Sequence, residues 1–323
     1  MNMKQKILII IMATMLLILI SCKEETFGES QQNQYQEKTA ENTQENNGPQ
    51  SHQIWSASSE DGLVWTHDNL LLIEKASVPI PLLLPNGTIR IYYVDASTQP
   101  STIGCSDSTD SGATVYKVAC EIEGTGTVNV DPTIVMLDDG RYRLYYFAGE
   151  TDPTNGIGDP ASMPGDHNIN SAISEDGIHF EEEGTVFTYE GLMDPDIFYT
   201  GEQYLFYSAT NTGKSIIATS DDGLDFTYYG DFPIERVGLA KPIILEDGTF
   251  RMYVFNQTGQ KQVLSLISED GLSWTKEEGI RLEAPEGKEI TDSQVVQLEN
   301  GTYKMFFKIS TASTPPTNKK KIE

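Results

Sequence analysis

The apolar residues of this chain fall into short runs that alternate with polar ones, and no segment after residue 22 sustains a 3.6-residue period. That pattern predicts strands and no long helix, hence an all-β fold. One phrase recurs five times: a glycine turn followed by an aromatic-rich strand. Its copies are NGTIRIYYV from Asn86, DGRYRLYYF from Asp139, GEQYLFYSA from Gly201, DGTFRMYVF from Asp247 and NGTYKMFFK from Asn300. A second phrase appears as SEDGLVW at Ser59, SEDGIHF at Ser174, SDDGLDF at Ser220 and SEDGLSW at Ser268. Each phrase spells two antiparallel strands joined by a tight turn, because Asp-Gly and Asn-Gly supply the backbone angles that hairpins need.

The two phrases alternate with a period of about 50 residues, the length of one propeller blade. Residues 53–73 form a hairpin of the Ser-acid-Asp-Gly kind with no partner before it. Segment 78–96 then pairs with 101–128, where the turn has degenerated to CSDSTDSGAT, and 131–149 with 168–190, 194–209 with 214–233, and 241–256 with 262–282. Segment 292–309 ends the series as an unpartnered hairpin of the first kind. The two orphans complete each other. The expected architecture is a five-bladed β-propeller of four-stranded antiparallel blades A-B-C-D, closed by pairing the N-terminal C-D strands with the C-terminal A-B strands, which leaves no open sheet edge.

Charge narrows the partners. At −26 the surface repels nucleic acid and anionic lipid, and suits neutral or cationic ligands. At the N-terminus, Lys4 and Lys6 precede an apolar run over residues 7–20, too short to span a bilayer and of the length of a signal-peptide core. The following Leu19-Ile20-Ser21-Cys22 resembles a bacterial lipobox. Residues 1–21 are therefore expected to be a lipoprotein signal peptide, and Cys22 the lipidated residue of a protein held by its lipid to the membrane of the bacterial cell envelope, facing the periplasm or the cell surface. Residues 22–51, rich in Gln, Asn, Glu and Thr, read as a disordered tether, 52–310 as the propeller and 311–323 as a disordered tail. Export permits a disulfide between Cys105 and Cys120, the only other cysteines; two free thiols is the alternative.

Meander geometry sorts the loops. The turns of both phrases lie on one face of the ring, where their Ser and Asp side chains serve backbone amides. The D-A connections lie on the other face, and just before each innermost strand stand Val78-Pro79, Asp131-Pro132, Asp194-Pro195, Lys241-Pro242 and Asp292-Ser293. Three carboxylates and one ammonium are expected to converge at one mouth of the axial channel, where like charges raise one another's pKa. A Pro- and Gly-rich insertion over residues 150–167 sits on the same side; its Asp152, Asp159, Asp166 and His167 match no recognised metal-ligand spacing, so a structural calcium is the only cofactor considered and none is otherwise expected.

The Asp-Pro starts followed by a Gly turn and an aromatic strand, as in DPTIVMLDDGRYRLYYF and DPDIFYTGEQYLFYS, together with the blade count, resemble the furanosidase superfamily of glycoside hydrolase families 43, 32 and 68. The resemblance spans residues 53–309. It implies that Asp131 is a base or nucleophile and that Asp194 stabilises the transition state. The superfamily's acid Glu stands two residues before a Pro in the following blade; here Ala240 occupies that region, beside Lys241, and Glu190 or Glu235 on neighbouring D-A connections are the substitutes. Asp292, Lys241 and His167 are the expected substrate contacts. The Ser-acid-Asp-Gly turns resemble sialidase Asp boxes but are one residue shorter. The function expected is that of a monomeric, lipid-anchored, glycoside hydrolase-like propeller that acts on or binds an oligosaccharide or polysaccharide, with a non-catalytic propeller binding a glycan or a protein as the alternative.

Overall fold

A computed structural model describes residues 48–123, 128–149 and 165–311. Residues 1–47, which include Cys22 and most of the expected tether, lie outside the described residues, as do Asp152, Asp159 and residues 312–323. Apart from a single 3-10 turn at Pro49–Ser51, the described residues form only strands and loops. The architecture is all-β, five small antiparallel sheets arranged as the blades of a propeller.

Blade one holds β3 (Ala76–Leu83), β4 (Ile89–Asp95), β5 (Thr102–Ser108) and β6 (Tyr116–Val118). Blade two holds β8 (Val128–Met136), β9 (Tyr142–Gly149), β10 (Asp166–Ser174) and β11 (His179–Glu190). Blade three holds β12 (Leu192–Tyr199), β13 (Tyr204–Thr210), β14 (Ser215–Ser220) and β15 (Thr227–Asp231). Blade four is more broken: its innermost strand is split into β16 (Val237–Gly238) and β17 (Ile243–Ile244) beside β18 (Phe250–Asn256) and β19 (Gln262–Ser268), and its outer strand into β20 (Thr275–Lys276) and β21 (Leu282–Glu283). Blade five is composite, in the order β2-β1-β23-β22, with β1 (Gln53–Ser59), β2 (Thr66–Glu74), β22 (Lys288–Gln297) and β23 (Tyr303–Thr311). Ring closure runs through β1 and β23, from Gln53 opposite Ile309 to Ser59 opposite Tyr303.

Two features of blades one and two differ from expectation. After β6 the chain leaves blade one, and β7 (Glu121–Glu123) pairs in parallel with β11, so that blade two gains a fifth strand. Cys120 thus lies beyond the fourth strand of its blade, not on it; it is joined to Cys105 of β5 with the Cα atoms 5.6 Å apart. The turn of blade one is also not degenerate. Ser108 Oγ accepts from the Gly112 amide at 2.9 Å and Asp110 Oδ1 from Thr114 N at 2.9 Å. One inserted residue, Ser111, takes up the extra length at φ 60.

The Ser-acid-Asp-Gly turns hold neighbouring blades together. At Ser268-Glu269-Asp270-Gly271, Ser268 Oγ accepts from Gly271 N at 2.8 Å, while Asp270 Oδ1 accepts from Leu272 N and Ser273 N. Ser59, Ser174 and Ser220 repeat the arrangement. The carbonyl so exposed is gripped by the second strand of the preceding blade. Tyr92 Oη donates to Gly177 O, Tyr207 Oη to Gly271 O and Tyr253 Oη to Gly62 O, each at 2.8 Å, and Arg90 and Arg143 donate to Asp176 O and Asp222 O. Approach is close enough that a Cβ on Gly223 would lie 2.6 Å from Tyr145 Oη, and one on Gly112 2.8 Å from Lys304. These grips run from blade one to two, two to three, three to four, four to five and five to one. The arginines are themselves ion-paired within their blades, Arg90 with Asp107, Arg143 with Glu183 and Arg251 with Glu277, each at 2.8 Å; Lys304 with Asp68 at 2.7 Å fills that place in blade five, and Leu205 in blade three.

Candidate functional site

The innermost strands of four blades begin in the same irregular way. Antiparallel register slips between Ser77 and Ile80, Val130 and Thr133, Met193 and Asp196, and Thr291 and Gln294. The bulged pairs are Val78-Pro79, Asp131-Pro132, Asp194-Pro195 and Asp292-Ser293. A proline has no amide hydrogen to give the ladder, so it suits a bulge. The first residue of every pair is left-handed, at φ 50, 52, 48 and 51 respectively. That conformation is costly for residues other than glycine, least so for Asp and Asn and most so for a β-branched residue such as Val78. Around Asp194 the bulge is braced by Ser208 of the adjacent strand, whose Oγ donates to Met193 O at 2.6 Å.

The result is a mouth with carboxylates from three blades. Asp194 is exposed, while Asp131 and Asp292 are half-buried. Lys308 of β23 pairs with Asp292 at 2.6 Å. Burial by itself lowers the Lys308 pKa, but Asp292, and beyond it Asp194 and Asp131, outweigh that effect and raise it, so the ammonium is held charged among the three. Two adjoining cavities open here, of about 280 and 350 Å³, near the lower end of the range for small-molecule pockets. Asp194, Asp292, Phe255 and Gln260 line both, whereas Asp131 lines neither and is placed at the mouth by its effect on Lys308. Phe255 is the aromatic wall, and its ring fits there because its cross-strand partner is Gly238, where any Cβ would collide with it.

Lys241 does not stand at the mouth. Blade four lacks the left-handed bulge, and Lys241 Nζ reaches across the ring to donate to Ile134 O of blade two at 2.5 Å. Burial lowers its pKa to about 8, an effect that Asp196 opposes. The ammonium at the mouth is that of Lys308. Deeper in the ring, Asp196 of β12 is 4% exposed, and Gln294 Nε2 of β22 donates to its Oδ1 at 2.8 Å. Burial pushes Asp196 up to about 7. The Gln294 bond and Lys241 act against the shift, and Asp194 and Asp292 with it.

The remaining sequence candidates are placed elsewhere. Glu190 is exposed at the end of β11, the outer antiparallel strand of blade two, opposite Asp166. Glu235 is exposed on the loop after β15. Neither lines either cavity. His167 is buried with its ring edge-on to Phe147, and its Nδ1 lies 2.7 Å from Leu192 O. It joins blades two and three. Ala240, in the region expected for an acid Glu, is fully buried. Among the described residues no group of three or more His, Cys, Asp or Glu side chains is arranged to hold a metal. Sequence reasoning passed over Lys308 and Asp196. Both had a signal: a charge inside an aromatic strand, as in Phe306-Phe307-Lys308, and a second Asp two positions into β12, as in Asp194-Pro195-Asp196.

No protein-family model matches this chain, and no curated protein matches it. Solved structures do resemble it in fold. A protein of unknown function from Dyadobacter fermentans superposes with a TM-score of 0.55 at 15% identity, over 80% of this chain and 83% of that one. An α-L-arabinofuranosidase from Clostridium thermocellum gives 0.53 at 14% identity, over 71% and 80%. A thermostable family-43 glycoside hydrolase gives 0.53 at 14%, over 75% and 90%. The fold is thus the five-bladed propeller that family-43 glycoside hydrolases also have.

Proposed function

We propose that this protein is a carbohydrate-active hydrolase, lipid-anchored through Cys22 in a bacterial cell envelope, which binds a neutral oligosaccharide across the axial mouth and cleaves a glycosidic bond there. The observation that carries the proposal is the convergence of Asp131, Asp194 and Asp292 on one mouth, each on a left-handed bulge, around the ammonium of Lys308. Glycoside hydrolysis needs one carboxylate to activate water or attack C1 and further negative charge to stabilise an oxocarbenium-like transition state. Asp131 takes the first role and Asp194 the second. Asp292, neutralised by Lys308, holds substrate hydroxyls, and Phe255 offers a ring face to a sugar.

The test is a screen of arabinan, xylan, fructan and mannan oligosaccharides with wild type beside Asp131→Asn and Asp194→Asn. Loss of an acid or base costs roughly 10²- to 10⁴-fold, so each variant should lose measurable turnover while its melting curve stays that of wild type. Turnover that persists in both would remove the assigned site. The second reading, a propeller that binds a glycan or a protein without cleaving it, is favoured by one observation, the buried Ala240 where an acid Glu is expected; it predicts binding with no reducing sugar released.

A further inference from the structure

The hydrolase reading leaves the proton donor unfilled, because Glu190 and Glu235 line neither cavity and Ala240 has no acid. We propose that Asp196 is that donor, a catalytic residue delivering its proton from Oδ2 to the glycosidic oxygen of a sugar bound beside Asp194. The proposal rests on the reading given above. Its basis is an ordered chain of contacts.

The Lys241 amide donates to Gln294 Oε1 at 3.1 Å, which fixes the Gln294 amide so that its Nε2 faces Asp196. That Nε2 donates to Asp196 Oδ1, so Oδ1 acts as acceptor and a proton on the carboxyl belongs on Oδ2. Asp196 lines the same 280 Å³ cavity as Asp194 and Asp292. The two carboxyls of Asp194-Pro195-Asp196 therefore face one space from opposite environments. Asp194 is exposed, whereas burial pushes Asp196 up to about 7, so that Asp196 can hold a proton near neutral pH as a general acid must. The charged and titratable groups around Asp196 are Asp194 on its own strand, Asp292 on β22, Lys241 of blade four, and Tyr207, its partner across the ladder on β13.

The step balances. As the C1–O bond breaks, the Asp196 proton passes to the departing oxygen; water adds to C1 and its proton goes to Asp131. Solvent then returns Asp196 to the acid and Asp131 to the carboxylate. The experiment uses the oligosaccharide with the highest turnover in the screen, and the 2,4-dinitrophenyl glycoside of the same sugar, whose leaving group needs no proton. Asp196→Asn should lose at least about 10²-fold on the oligosaccharide and less than about tenfold on the aryl glycoside, whereas Asp131→Asn should lose both. Wild-type kcat/KM on the oligosaccharide should fall as pH rises through about 7, and Gln294→Met, which removes the hydrogen bond that favours the carboxylate, should move that limb to higher pH. This second variant keeps the test decisive if Asp196→Asn does not fold. If Asp131→Asn abolishes turnover while Asp196→Asn keeps both substrates, or if the Gln294→Met limb does not move, the donor assignment is overturned and the hydrolase reading stands. If wild type cleaves nothing, the hydrolase reading fails and takes the donor with it.

Discussion

The two faces of the ring use aspartate in opposite ways. On the turn face, Asp61 and Asp222 accept chiefly from backbone amides, which hold their pKa values below the ordinary carboxylate range. At Asp270 and Asp176 burial pulls the other way, but the amides win and the pKa is again lowered. These carboxylates stabilise turns that the preceding blade then grips. On the mouth face, Asp131, Asp194 and Asp292 occupy left-handed bulges at the starts of innermost strands, and their influence falls on Lys308. Position within the blade, not residue type, separates an aspartate that holds a turn from one that stands at the mouth. Where an Asp stabilises the turn it sits in, replacing it should cost stability; where it is held in a strained conformation, replacing it should cost function.

The largest expected effect lies in neither face but in the closure they share. Truncation after Leu298 removes β23 and leaves β1 and β22 with open edges, so the cooperative thermal transition should disappear. A truncated chain that melts like the full one would mean that blade five contributes nothing. Next comes the grip between blades. Arg90→Met strands the Asp107 carboxylate, 9% exposed, without its partner, and should cost roughly 3–5 kcal/mol in urea unfolding. Ligand affinity at the mouth should stay unchanged, and a matching loss there would couple the faces.

A smaller effect is expected at single turns. Ser268→Ala removes the acceptor for Gly271 N and should cost about 1 kcal/mol, as lost caps do. The turn carboxylates add a pH signature. Their folded pKa values are depressed, so their contribution is complete above the unfolded value of 3.8 and is lost as pH falls below it; for Asp110 the loss extends to about 2. Stability that stayed flat between pH 4 and 2 would contradict this. The smallest change in stability belongs to the mouth. Asp131→Gly and Asp194→Gly keep the left-handed backbone without a side chain and should stay within about 1 kcal/mol of wild type while abolishing turnover. A larger destabilisation would make these residues structural and erase the contrast between the faces.

Blade order, ring closure and the turn chemistry were legible because each depends on local sequence: a Gly turn, an alternating strand, a Ser and an Asp at fixed offsets. What was not legible depends on where one blade meets another. The departure of β7 to blade two is written in no turn signal, since residues 121–123 are as strand-like in one sheet as in the next. Lys241 matched Asp131 and Asp194 by spacing, but the missing bulge in blade four sends its side chain across the ring. Lys308 and Asp196 were hidden for the same reason, since a charge inside a strand reveals its partner only once the ring is closed. The positions of Asp131, Asp194 and Asp292 could be placed at the mouth from the meander alone; their backbone strain could not.

The pairing of β1 with β23 also has a consequence in time. Lys304 reaches Ser58, a residue 246 positions earlier. A ribosome must therefore synthesise almost the whole ring before the first hairpin finds its sheet. Until then β1 and β2 remain an isolated two-stranded ribbon, which is marginal in water. Loop closure over such a span is slow compared with local hairpin formation. The first hairpin therefore waits, with one edge unpaired, until β23 has been made.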